Sequence, residues 1–284
     1  MGKLLSTLAG LLSLVALGWA QKPSNGDAAA LIEKSRRRTL AYSASLPDFV
    51  CTEVIWRYRQ GAAVAAVAVP SAKGGPVQVA EVRTSAASWI PLDKLTVKLS
   101  YFHQQETHQL VLVNGKPTSL TYDSMNAGAI TSGEFGGILK SIFEPASQAS
   151  FHWERWKNER GRRVAVFKFE VDAAHSNYYL EHRVGSDVRR AIVGYHGTVE
   201  IDSEAGEVLH FDHVADHIPK ELDYSNEATS VDYDFTEIVG RKYLLPSHSV
   251  TELSGTNLER KNESEFREYG KFEASSSVDF GTGK

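Results

Sequence analysis

From Leu92 onward, one segment after another alternates apolar with polar residues at period two and then breaks at a short turn signal. No other feature constrains the fold as strongly. Side chains on a strand point alternately to opposite faces, so each segment supplies one buried and one wet side of an antiparallel sheet. LDKLTVKLSYFH sets Leu95, Val97, Leu99 and Tyr101 against Lys94, Thr96, Lys98 and Ser100. HQLVLVNGKPTSLTY places Asn114-Gly115, the strongest short hairpin signal, between two strand-like runs. FHWERWKNERGRRVAVFKFEV is expected to turn at Arg160-Gly161, with Ala165, Phe167, Phe169 and Val171 on one face. Further turns are expected at Glu204-Ala205-Gly206 and Val239-Gly240-Arg241, and NESEFREYGKFEASSSVDF supplies a closing pair. Upstream, FVCTEVIWRYR puts Val50, Thr52, Val54, Trp56 and Tyr58 on one side, although this strand is apolar on both.

Two stretches break the pattern. DAAALIEKSRRRTLAYSAS begins at Asp27 as an N-cap, carries Leu31, Ile32, Leu40 and Ala41 on one face, and is stopped by Leu46-Pro47. Its Arg36-Arg37-Arg38 triplet reads as solvated surface. TSGEFGGILKSIFEP pairs Thr131 with Glu134 as a capping box, then spaces Phe135, Ile138, Leu139 and Ile142 for a short amphipathic helix over 131–143. The expected class is α+β, mostly β: a long curved antiparallel sheet of about 9 to 11 strands with both helices packed on it. The sheet domain spans 46–284, with a variable loop insertion at 60–76 that is rich in Ala, Val, Gly and Pro. An N-terminal segment carrying the helix spans 21–45.

Residues 1–20 read as a secretory signal peptide: Lys3, an apolar run from Leu4 to Leu17, then Gly18 and Ala20 in a small-x-small cleavage pattern. The run is too short for a membrane anchor, which needs about 20 apolar residues. Cleavage after Ala20 takes Lys3 from 31 basic residues and leaves 35 acidic ones, moving the formal charge from −4 to −5. Such a chain has no basic face for nucleic acid, and after cleavage it spans no membrane. The single cysteine, Cys51, cannot form an internal disulfide and reads as a small buried hydrophobe of the first strand. A periplasmic or extracellular protein without a staple must be held by its core.

The octapeptide HFDHVADH, His210 to His217, carries metal-ligand residue types. On a return strand, however, His210, Asp212 and Asp216 project one way and Phe211, His213 and His217 the other. Zinc needs three or four donors converging on one point, which one strand cannot supply from opposite faces. Only neighbouring strands could complete a site on His210 and Asp212. The sequence holds no G-x-S-x-G elbow, H-E-x-x-H, P-loop or G-x-G-x-x-G, so no catalytic residue and no cofactor is assigned. Asp202, Glu204 and Glu207 sit where a tight turn wants polar residues. The glycines around Glu134 suit either an anion at a helix start or close packing on a sheet, and packing is the favoured reading. What stands out is strand-borne aromatic surface, including Trp153, Trp156, Phe167, Phe169, Tyr195, Phe211 and Tyr233, with few helices to cover it. An uncovered part of a curved sheet makes an apolar cleft.

SLPDFVCTEV, LSYF with VLVNGKP, SGEFGGIL with IFEP, FHWERW, VGYHGTVEID, VDYDF, YLLP and NESEFREY together resemble a group of secreted bacterial proteins that brings no established activity. More distantly, the order of elements is similar to the periplasmic LolA/LolB and RseB type, whose hairpin IDSEAGEVLHF matches in form. That resemblance implies an unclosed β half-barrel with helices over its mouth, and a role in binding lipoprotein acyl chains or sensing envelope stress. It also implies an arginine inside the barrel, which no motif maps onto Arg57 or Arg83. The reading is therefore a non-enzymatic protein whose apolar concave face binds a lipid, lipoprotein or hydrophobic ligand, with the inward aromatics Trp153 and Phe167, and Val97, as ligand-facing candidates. A structural or interaction module of the envelope without a cavity, bound to an envelope protein, is the first alternative; a secreted metal-dependent hydrolase is the second. Export from a bacterial cell should yield a polypeptide beginning at Gln21, checked by intact mass; a retained leader would overturn the cleavage assignment.

Overall fold

A computed structural model describes residues 22–69, 78–125, 134–184, 187–256 and 258–272. The segment expected to be a signal peptide, the tip of the 60–76 insertion, Thr131 and the tail after residue 272 lie outside the described residues. Helix α1 (Asn25–Ser45) leads into strands β1 (Phe49–Val69), β2 (Gln78–Phe102), β3 (Gln105–Val113) and β4 (Lys116–Pro117). Helix α2 (Gly137–Phe143) follows, then β5 (Ser150–Glu159), β6 (Arg162–Val171), β7 (Tyr179–Val184) and β8 (Asp187–Ile192). The chain continues through β9 (Gly194–Asp202), β10 (Val208–Asp216), β11 (Tyr224–Ile238), β12 (Arg241–Gly255) and β13 (Leu258–Lys271).

Eleven strands form one antiparallel sheet in the order β4-β3-β2-β1-β13-β12-β11-β10-β9-β6-β5. The strands at its two ends do not pair, so the sheet is an unclosed half-barrel with both helices on it, as the sequence leads one to expect. Most neighbours are consecutive hairpins whose turns follow the residue signals. Asn114 and Gly115 both take positive φ (52° and 75°), the twist that joins two strands through two residues. His103 and Gln104 do the same at 50° and 61° without any glycine, which is why that turn carries no signal in the sequence. At Asp202 the carboxylate accepts hydrogen bonds from the N–H groups of Glu204 (2.9 Å) and Ala205 (2.8 Å), closing the next turn. The described part of the expected closing pair forms strand β13, which pairs with both β12 and β1, while the second expected strand lies outside the described residues. Strands β7 and β8, which sequence patterning does not single out, form a separate two-stranded sheet.

Helix α1 starts two residues earlier than its sequence signal, capped by Ser24, whose hydroxyl accepts from the Asp27 N–H at 3.1 Å. Helix α2 starts at Gly137, with Gly136 as N-cap at φ 104°, a conformation open to glycine because it has no Cβ. Glu134 consequently lies in the turn before the helix, and the capping-box position of 131–143 is corrected to Gly137–Phe143. Tyr233 fixes that turn by donating its hydroxyl to the Glu134 carbonyl at 2.8 Å.

Both helices bury their apolar sides on the same sheet face. Ile32 of α1 and Ile138, Leu139, Ile142 and Phe143 of α2 pack with Phe167, Phe169, Tyr195, Val199, Phe211 and Val231. Beside this lies an aromatic cluster in which Phe135 meets Phe49 (5.1 Å between centroids) and Phe266 (5.5 Å). On β1 it is Phe49, Cys51 and Ile55 that join these core clusters, resolving the strand that was apolar on both sides. Cys51 is buried, as expected of a structural thiol. Gly197 of β9 lies so close to β10 that an added Cβ would stand 1.9 Å from the Asp212 carbonyl oxygen. Gly197→Ala should therefore lower unfolding free energy by at least about 2 kcal/mol in urea titration, against about 1 kcal/mol for Gly115→Ala, whose Cβ meets nothing.

Candidate functional site

The helix-covered face is not apolar throughout. Phe167 is 1% exposed and belongs to the core under α2, whereas Trp153, one strand nearer the edge, is half-buried beside Trp156. Val97 is fully buried among Ile55, Leu95, Leu110 and Tyr122. The segment that covers this cluster is held by Arg57, which is itself buried. Its guanidinium donates twice to Asp93 (2.7 and 2.6 Å) and once to the Met125 carbonyl (2.7 Å). A planar fork matched to one carboxylate leaves an N–H free to pin a passing backbone, which lysine could not do. Nothing in the local sequence marks Arg57, because its partners are 36 and 68 residues away.

Between these clusters the same face is polar. Glu53, Glu227, Thr229, Ser249, Thr251, Asn262 and Ser264 are all buried there. Burial, and then the charge of Glu134, push the Glu53 carboxyl up to about 8, so it is neutral at pH 7. Thr229 donates to Glu227 at 2.9 Å and meets Thr251 at 3.0 Å. His213, on the buried side of β10, stands 3.6 Å from Glu227 with the Tyr178, Tyr195 and Phe211 rings around it.

A space is left open under α1. A cavity of about 320 Å³ is enclosed by Thr39, Ala41, Tyr42 and Ser45 of the helix, Leu139 of α2, and Val208, Tyr233, Phe235, Tyr243 and Leu244 of β10 to β12. Tyr42 anchors the helix across it by donating to the Leu244 carbonyl. Burial drives the Tyr42 hydroxyl far above its ordinary pKa, so the anchor stays a neutral donor. The floor, with Leu139, Val208 and Tyr233, is buried, and the mouth carries Arg38, Lys242 and Glu207. Sequence patterning could not find this site, since it exists only where one helix crosses three strands.

The histidine-rich octapeptide divides as its period predicts up to Asp216, whereas His217, expected on the side of Phe211, lies past the strand end at φ 51° and is exposed. His210, Asp212 and Asp216 are partly exposed, while Phe211 and His213 are buried. On the exposed face a cross-strand row runs Glu200, His210, Asp232, His248, Glu265, each directly opposite the next. His210 Nδ1 bonds Asp232 at 2.6 Å, and Nε2 lies 3.8 Å from Asp212. Burial disfavours its charge, but these two carboxylates outweigh burial and raise its pKa to about 9. Both ring nitrogens of His210 thus face carboxylates, one of them on a neighbouring strand, which makes the row a cross-strand contact between β10 and β11. Among the described residues, no group of three or more His, Cys, Asp or Glu side chains could hold a metal ion.

The raised pKa values of His210 and Glu53 make stability depend on pH. His210 holds its proton more tightly folded (about 9) than at its ordinary 6.5, so its contribution is complete below pH 6.5 and lost as pH rises through 9. Glu53 holds its proton to about 8 against an ordinary 4.5, so the cost of ionising it in the interior builds between those values. Urea midpoints should fall from pH 6 to 10. His210→Gln should flatten the upper part of that fall, and Glu53→Gln should be more stable than wild type at pH 9. A flat wild-type profile would remove both assignments.

No protein-family model matches this sequence, and no curated protein matches it at a significant level. Among solved structures, a LolA superfamily protein from Nitrosomonas europaea is similar over 87% of this chain and 94% of its own, at 6% identity and a TM-score of 0.33. A putative outer membrane lipoprotein-sorting protein domain from Vibrio parahaemolyticus is similar over 88% and 95%, at 10% identity and 0.38. A DUF1329 family protein from Desulfovibrio piger is similar over 87% and 94%, at 8% and 0.38.

Proposed function

We propose that this is an exported, non-enzymatic binding protein of the cell envelope, and that the cavity under α1 receives the hydrocarbon chain of a lipid or lipoprotein. The observation that carries this reading is an apolar floor of Leu139, Val208 and Tyr233 left unfilled beside the packed core clusters of the same sheet face. At about 320 Å³ the space stands at the lower end of ligand pockets, which run from ~300 to ~1,000 Å³, and suits one chain better than several. Each methylene buried there contributes about 0.8 kcal/mol. The leader at residues 1–20 supports a periplasmic or extracellular location, where the lipid must be carried through water. The dense packing of Phe135, Phe143, Phe167 and Phe211 favours the other reading, a self-filled interaction module, for the remainder of the face. Val97 has a place in the proposal only as part of the wall that Arg57 holds shut.

Native mass spectrometry of residues 21–284, exported to a bacterial periplasm and purified gently, should show a reproducible extra mass that organic extraction identifies as lipid. Ala41→Trp, which places an indole in the mouth from an exposed helix position, should abolish that mass while leaving the circular dichroism spectrum unchanged. A bare polypeptide mass in wild type would favour the self-filled module.

A further inference from the structure

The arginine triplet of α1 does not behave as one solvated patch. Arg36 and Arg37 both reach back to Glu33, at 3.2 and 3.6 Å, one helical turn away. Arg38 points off that row and stands at the cavity mouth. Across the mouth, on β12, stands Lys242. Both side chains are exposed, and neither forms an ion pair with any described residue. Glu207 is the one carboxylate among the residues that line the cavity, and it lies beyond ion-pair distance of both cations, so the rim is net positive. The lining therefore grades from two unpaired cations at the water, past Thr39 and Tyr42, to the buried apolar floor at Leu139 and Val208. A neutral lipid would use only the floor of such a gradient. A ligand with an anion at one end and a hydrocarbon chain at the other would use all of it.

We infer that the cavity is selective for single-chain anionic amphiphiles, with the chain on Leu139, Val208 and Tyr233 and the anion on Arg38 and Lys242. This rests on the cavity being a chain-binding site, and adds to it the charge of the ligand. The anion can be a fatty-acid carboxylate or the phosphate of a lysophospholipid; both present oxygen acceptors to guanidinium and ammonium donors. Two half-solvated cations contribute modestly each and are screened by salt, so selectivity should weaken as ionic strength rises.

The test uses delipidated protein of residues 21–284 with four probes of matched sixteen-carbon chain: palmitate, palmitoyl-lysophosphatidylglycerol, monopalmitoylglycerol and hexadecyltrimethylammonium. Affinities are read by displacement of a fluorescent amphiphile below the critical micelle concentrations. The expected result is that at least one anion binds at least about fivefold more tightly than the neutral probe, and that the cationic probe binds most weakly. Whichever anion does so names the source, carboxylate or phosphate. Arg38→Ala combined with Lys242→Ala, both exposed and outside the core, should bring the anions down to the affinity of the neutral probe. Equal binding of all four probes, or no effect of the double substitution, would overturn the charge selectivity and leave the chain-binding site standing. Failure of every probe to bind would overturn both.

Discussion

The pairing of β1 with β13 holds the sheet together. It runs from Phe49 opposite Lys271 to Arg59 opposite Arg260, joining strands about two hundred residues apart in the chain. Every other pairing in the large sheet except β6 with β9 is a hairpin between successive strands. Remove β1·β13 and the sheet falls into two pieces, β1 to β4 on one side and β5, β6 and β9 to β13 on the other, each with a long unpaired edge. The aromatic cluster of Phe49, Phe135 and Phe266 sits on that seam and can form only after the seam has closed. Such a long-range contact is paid for late, so the hairpins are expected to form before the half-barrel does.

Because the sheet does not close on itself, something else must cover its inner face. Two helices, one of them only seven residues long, are not enough for a uniformly apolar surface of this size. The chain resolves this by varying the chemistry along the face. Under α2 it is aliphatic and aromatic; in the middle strands it turns to hydroxyls, a neutral Glu53 and the Glu227–Thr229–Thr251 set. Arg57 and Asp93 tie down the cover at the β1–β3 end. Below α1, by contrast, an apolar strip is left unfilled, and the proposed ligand site is that strip.

The outer face follows a different rule. Its row of alternating carboxylates and histidines across β9 to β13 has Asp232 at its centre, contacted from one neighbouring strand by His210 and from the other by His248. That arrangement explains why metal-ligand residue types appear in one octapeptide without forming a metal centre. Each imidazole faces a carboxylate on a neighbouring strand instead of converging with others on a shared point.

Much of the architecture was legible before any tertiary contact was known. The hairpin turns at Asn114-Gly115 and Arg160-Gly161, the N-terminal helix and the split of HFDHVADH all follow from local φ preference and strand period, which neighbouring residues decide among themselves. The His103-Gln104 turn and the β7–β8 hairpin escaped because their residues carry no such local preference. The short helix was legible in kind but misplaced in its start, since the αL conformation at Gly136 and the bond from Tyr233 set its beginning. The buried side of β1, the role of Arg57 and the cavity under α1 were decided by tertiary structure alone. Periodicity tells which residues share a face, but which face is covered, and where the cover leaves a gap, depends on strands and helices that meet from distant parts of the chain.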